Sequence, residues 1–135
     1  MYAYGEANVP KVTVTLRKSY GGAHCVMSSK QLKGDINYAW PTAEIAVMGP
    51  QGAIEVLEGK AISEIADDEE RKEYVAKKEQ EYRDKFANPY EAAKYGYLDD
   101  VIEPRNTRFR VIRALRTLST KKDPGPMKKH GNIPL

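Results

Sequence analysis

Alternation comes first along the chain. In KVTVTLR (11–17), Val12, Val14 and Leu16 alternate with Thr13 and Thr15, a period of two that predicts a β-strand. The pattern stops at Gly21 and Gly22. From Ala23 to about Leu32 it becomes helical, with Val26, Met27 and Leu32 available for packing, and Gly34-Asp35 breaks it. INYAW (36–40) predicts a second strand closed by Pro41. AEIAVMG (43–49) is a short, nearly continuous apolar run, as expected of a strand buried on both faces. QGAIEVLEG (51–59) predicts a helix opened near Pro50 and stopped by Gly59.

Residues 62–86 contain no Gly or Pro and predict a long helix. Glu70, Glu73 and Glu79 have basic partners three to five positions on, and the apolar positions are sparse, so much of this helix is expected to be solvated or partner-facing. PYEAAKYG predicts a short helix from Pro89 with Gly96 as its C′ residue. YLDDVI predicts a last strand. RNTRFRVIRALRTL is amphipathic, with Val111, Leu115 and Leu118 on one face. Strands alternating with helices indicate an α/β chain.

With 135 residues there is room for one core. Apolar residues make up 41% and charged residues 30%, and the net charge is only +3. The distribution says more, because Arg105 to Lys129 carries nine basic residues and a single acid, Asp123. A lone cysteine, Cys25, excludes an internal disulfide and fits a reducing compartment. No apolar run approaches the roughly 18 residues of a membrane span, and MYAYGEANVP lacks a secretory layout. The expectation is a soluble, cytoplasmic protein, or a mitochondrial-matrix one in a eukaryote.

The glycine pair admits two readings. One is a plain tight turn. The other is an anion-holding corner, because a strand turning into a helix leaves backbone N–H groups without intrahelical partners, and glycine lets a ligand approach them. YGGAH is neither a P-loop nor a dinucleotide fingerprint.

YAYGEANVPKVTVTLRKSYGGAHCVMSSKQLKGDINYAWPTAEIAVMGPQGA closely resembles the carboxyltransferase subunit of biotin-dependent acyl-CoA carboxylases, propionyl-CoA carboxylase β-subunit type. FANPYEAAKYGYLDDVIEPRNTRFRVIRALRTL and KKHGNIPL resemble the end of the same subunit. The resemblance implies a crotonase-like (ClpP/crotonase superfamily) α/β fold. Residues 1–118 would be the C-terminal portion of the second crotonase-like domain, and residues 119–135 an extended basic tail. It implies transfer of a carboxyl group from carboxybiotin to an acyl-CoA, propionyl-CoA or acetyl-CoA. The cofactor would supply the base, and the backbone N–H groups of Gly22 and Ala23 the biotin-side oxyanion hole. The implied partners are a biotin carboxylase, a biotin carboxyl carrier subunit and further carboxyltransferase subunits in a homo-oligomer. Close alternatives are a transcarboxylase, a methylmalonyl-CoA decarboxylase, or a truncated assembly module inactive alone.

Gly21, His24, Cys25 and Trp40 are the candidate substrate-binding residues. Cys25 beside His24 also invites a thiol-nucleophile reading, but neighbours on a helix point in different directions, and packing or lining of the acyl pocket fits better. By the resemblance, propionyl-type members commonly have Asp at the position of Cys25, which leaves the acyl-chain length open. Trp40 could wall a biotin pocket or pack in the core. Ser28 and Ser29 have no base to activate them, and Tyr20 is placed to stiffen the glycine turn. His24 and His130 lack the spacing of metal ligands, and His130 is expected at the tail surface. The basic run from Arg105 to Lys122 has no interleaved aromatics or recognition motif, so a solvated or subunit-facing helix is expected rather than nucleic-acid contact.

Overall fold

The computed structural model describes residues 2–122. Two small parallel sheets form its centre. In the first, β1 (Val12–Thr15) pairs with β3 (Ile36–Ala39), and β3 pairs with β5 (Asp100–Val101). In the second, β2 (Lys18–Tyr20) pairs with β4 (Glu44–Ala46), in the register Tyr20 to Ala46. Parallel neighbours need crossover connections. The helices supply them: α2 (Gly21–Val26) follows β2, while α3 (Pro50–Glu64), α4 (Asp68–Lys85) and α5 (Pro89–Lys94) lie between β4 and β5. A short α1 (Tyr2–Glu6) and a longer α6 (Thr107–Thr117) flank the set.

The two faces of β3 build two cores, as a period of two requires. Ala39 packs with Ala43, Ile45, Ala92 and Leu98, joining β4 and α5. Tyr38 packs with Ile102 and Ala114, against Val12, Val14, Ile36 and Trp40. On α6 the inward residue is Ala114, whereas Leu115, expected on the apolar face, is exposed. The Arg110 guanidinium lies 5.1 Å from the Tyr38 ring centroid and pairs with Asp100, so its aliphatic stem covers the strand.

Several boundaries differ from expectation. α3 runs through Gly59 to Glu64, and α4 starts only at Asp68. The break is made by Asp67, whose carboxylate accepts from the Glu69 N–H at 3.1 Å, followed by Asp68, Glu69 and Glu70 in the first turn. Acids there complement the helix dipole, and Arg83 and Lys85 do so at the other end. The ion pairs within α4 are Asp68–Arg71, Glu69–Lys72, Lys78–Glu81 and Glu79–Arg83. Among the described residues, Glu70 and Glu73 form none.

The helix expected over 23–32 is shorter. α2 stops at Val26, Ser28 takes φ +62°, and a 3-10 turn follows at Lys30–Leu32. Side chains pull the backbone off the helical path: Thr13 Oγ1 and Asn37 Nδ2 each donate to the Ser28 carbonyl at 3.0 Å. Apolar continuity at 43–49 likewise misleads. Ala43 and Ile45 are buried, but Val47 is 81% exposed and Met48 is exposed as well. The Pro89 helix follows its reading closely. Asn88 caps it, and Gly96 (φ +77°) closes it with the Gly96 N–H on Ala93 and the Tyr97 N–H on Ala92.

The start of the expected extended tail is a 3-10 turn, Leu118–Thr120. Lys121 then donates to the Val9 carbonyl at 3.1 Å and to Asp35 at 3.0 Å. The rest of the tail, with His130, lies outside the described residues. Among those described, no helix is long and apolar enough to cross a membrane.

Candidate functional site

β2 ends at Tyr20, which has extended backbone (φ −120°, ψ 142°). The chain then reverses through Gly21 at φ +53°, a region that favours glycine. A Cβ there would also stand 3.0 Å from the Val47 carbonyl oxygen. Glycine is therefore favoured on both counts. Gly22 differs, because a Cβ on it would meet nothing within 4 Å. Among the described residues, no side chain caps α2. Gly22 and Ala23 are exposed, and among the described residues no turn or loop hydrogen bond uses their N–H groups. α2 is too short for a large macrodipole, so any anion affinity must come from these individual donors.

Two clefts meet at this corner. Gly21, Gly22, His24 and Cys25 border one of about 820 Å³, whose lining also includes Val47, Leu57, Phe86, Tyr95 and Tyr97. Ala23 borders the other, about 770 Å³, which runs along β1 past Thr13 and Ser28. Trp40 borders neither. It packs in the Tyr38 core, and its Nε1–H donates to Thr107 Oγ1 at 2.9 Å.

His24 Nδ1 lies 2.9 Å from Ser19 Oγ, and burial holds the imidazole pKa below its ordinary value. That contact takes the ring towards β2, and no hydrogen bond joins it to the Cys25 thiol among the described residues. The nucleophile pair is not formed. Ser29 Oγ donates to the Cys25 carbonyl at 2.8 Å, while Ser28 Oγ is buried with no hydrogen-bond partner among the described residues. Among the described residues, Glu91 is the lone carboxylate bordering the larger cleft, and it pairs with Lys94 at 3.8 Å. Among the described residues, no group of three or more His, Cys, Asp or Glu could hold a metal.

The aromatic wall was missed in the sequence. Its signal lay in KYGYL: the Gly96 turn that ends α5 leaves Tyr95 and Tyr97 with ring centroids 6.5 Å apart beside the cleft.

The family model for the carboxyl transferase domain matches residues 1–133. The chain belongs to that family. It is 56% identical over its whole length to the carboxyltransferase subunit of propionyl-CoA carboxylase from Haloferax mediterranei, covering 26% of that protein. It is 51% identical, again over its whole length, to the methylmalonyl-CoA decarboxylase subunit alpha of Propionigenium modestum, also covering 26%. Among solved structures, transcarboxylase 12S with methylmalonyl-coenzyme A bound superposes with a TM-score of 0.84 at 48% identity, over 99% of this chain and 25% of that one. The fold is thus the crotonase-like α/β arrangement of carboxyltransferases. The chain spans about a quarter of the length of these relatives.

Proposed function

We propose that this chain is the biotin-side part of an acyl-CoA carboxyltransferase, which moves a carboxyl group from carboxybiotin to propionyl-CoA or acetyl-CoA. One observation carries the reading. In a member of the carboxyl transferase family, the Gly22 and Ala23 amides stand exposed and uncapped where two clefts meet. Biotin, held on a carrier partner, would supply a ureido group that brings the carboxyl group and takes up the substrate's α-proton.

The residues present fit that group. The ureido oxygen would take up negative charge as the N–carboxyl bond breaks, so its donors must be fixed beforehand, and main-chain amides can neither rotate away nor titrate. Gly22 and Ala23 would donate to that oxygen, and loss of one such donor costs about 2.7–4 kcal/mol of transition-state stabilisation. Val47, Leu57 and Phe86 give the larger cleft apolar walls. Gly21 sets the turn, His24 stays neutral beside it, and Cys25 borders the space open to an acyl chain.

The decarboxylase and transcarboxylase likenesses support the same transfer run in another direction. A biotin carboxylase that co-purifies with the intact protein favours carboxylation; a membrane decarboxylase subunit favours the reverse. Since the chain is a quarter of its relatives' length, isolated residues 1–135 are expected to be inactive. The test is acyl-CoA-dependent transfer of labelled carboxyl by the intact enzyme with and without avidin. Avidin should abolish it, and transfer indifferent to avidin contradicts a biotin-side role.

A further inference from the structure

Tyr20 is the residue from which the glycine corner hangs, and its side chain reaches β4 and the start of α3 directly and α4 through Glu44. Its phenolic O–H donates to the Glu44 carboxylate on β4. Glu44 faces Arg83 of α4 at 4.0 Å, and Arg83 pairs with Glu79 at 3.1 Å. The ring lies on the backbone of Gly49, the N-cap of α3, so closely that a Cβ there would be 3.3 Å from it. One side chain thus ties the last residue of β2 to β4 and α3, and through Glu44 to α4. Burial, together with the hydrogen bond to Glu44 and its charge, pushes the Tyr20 pKa up to about 12, so the phenol remains a donor.

We propose that Tyr20 is a positioning residue for carboxyl transfer, holding the Gly22 and Ala23 amides in place through the Tyr20–Glu44–Arg83 chain. The inference rests on the proposed biotin-side role of that corner. A turn with a left-handed glycine at its start has little stiffness of its own, and its neighbour's anchor must supply it. Removing the phenol hydroxyl leaves the ring on Gly49 but frees the end of β2 from Glu44. Donor positions then spread, and transition-state stabilisation falls before substrate binding does.

In the intact enzyme, Tyr20→Phe is expected to lower kcat for carboxyl transfer about tenfold, with the KM for acyl-CoA unchanged. Glu44→Ala should match it, and the double variant should be no worse than either single one. Glu44→Gln keeps an acceptor for the phenol and should restore most of the rate. Tyr74→Phe removes a comparable hydroxyl, 3.1 Å from Glu58 between α4 and α3, and serves as the stability control. It should lower the melting temperature to a similar degree without touching kcat. Natural kcat in Tyr20→Phe, or an equal loss in Tyr74→Phe, overturns the positioning role. If Gly22→Pro abolishes transfer while Tyr20→Phe leaves it intact, only the positioning role falls. If Gly22→Pro transfers normally, the corner reading and the positioning role fall together.

Discussion

Ser19 Oγ and His24 Nδ1 lie 2.9 Å apart, so one hydrogen bond spans the Gly21–Gly22 turn from β2 to α2. Burial lowers the His24 pKa from 6.5, which favours the neutral ring in the fold. Its contribution to stability is therefore present above pH 6.5 and is lost as pH falls through the depressed folded value. An NMR titration of the imidazole should give a pKa below 6.5, and a value at or above it contradicts this environment.

Gly21 and Gly22 should respond oppositely to alanine. At Gly21 an added Cβ meets the Val47 carbonyl at 3.0 Å and a φ of +53°, so Gly21→Ala should cost about 1–2 kcal/mol or more. Gly22→Ala has open space and should be close to neutral in thermal denaturation. Equal losses at the two positions would mean that the turn differs from the one described.

Much of the architecture could be read from periodicity. β1, β3 and the Pro89 helix follow from Val12/Val14, INYAW and the Pro89 start with its Gly96 stop, because in each the local signal and the packing agree. The failures are places where a side chain overrode the pattern. Asp67 moved a helix start that the absence of Gly and Pro had hidden, and Ser28 was drawn out of a helix by Thr13 and Asn37. The glycine corner was legible as a motif. The rest of the cleft lining was not, since Leu57, Phe86 and Tyr97 reach it from three separate stretches of chain.

Trp40 separates two roles that sequence left open. Its indole N–H reaches Thr107 at 2.9 Å, inside a core that joins β3 to α6. Trp40→Phe should cost about 1 kcal/mol of stability while carboxyl transfer stays natural. Lost transfer at unchanged stability would return Trp40 to the substrate pocket.

Asp35 gathers the two ends of the described chain. It accepts from the Lys11 N–H at 2.7 Å and from Lys121 Nζ at 3.0 Å. Burial alone would raise its pKa, but those hydrogen bonds and the two lysine charges outweigh it and hold the carboxyl below 3.8. Asp35→Ala should cost about 2 kcal/mol. Because the folded pKa is depressed, the melting-temperature gap to the natural protein should be full above pH 3.8 and close as pH falls through the folded value. A gap that widens in acid would contradict the pairing.

The corner amides remain the centre of the account, and a matched pair of substitutions at one position isolates them. Position 22 lies in the first turn of α2, where proline is tolerated, and has room for a side chain, so Gly22→Pro deletes an N–H that Gly22→Ala retains. The decisive measurement is kcat for carboxyl transfer from carboxybiotin in the assembled enzyme carrying each variant. Near-natural turnover in Gly22→Ala with a loss of about 100-fold in Gly22→Pro is the predicted result. Equal turnover in the two, with assembly intact, would show that the backbone donor plays no part.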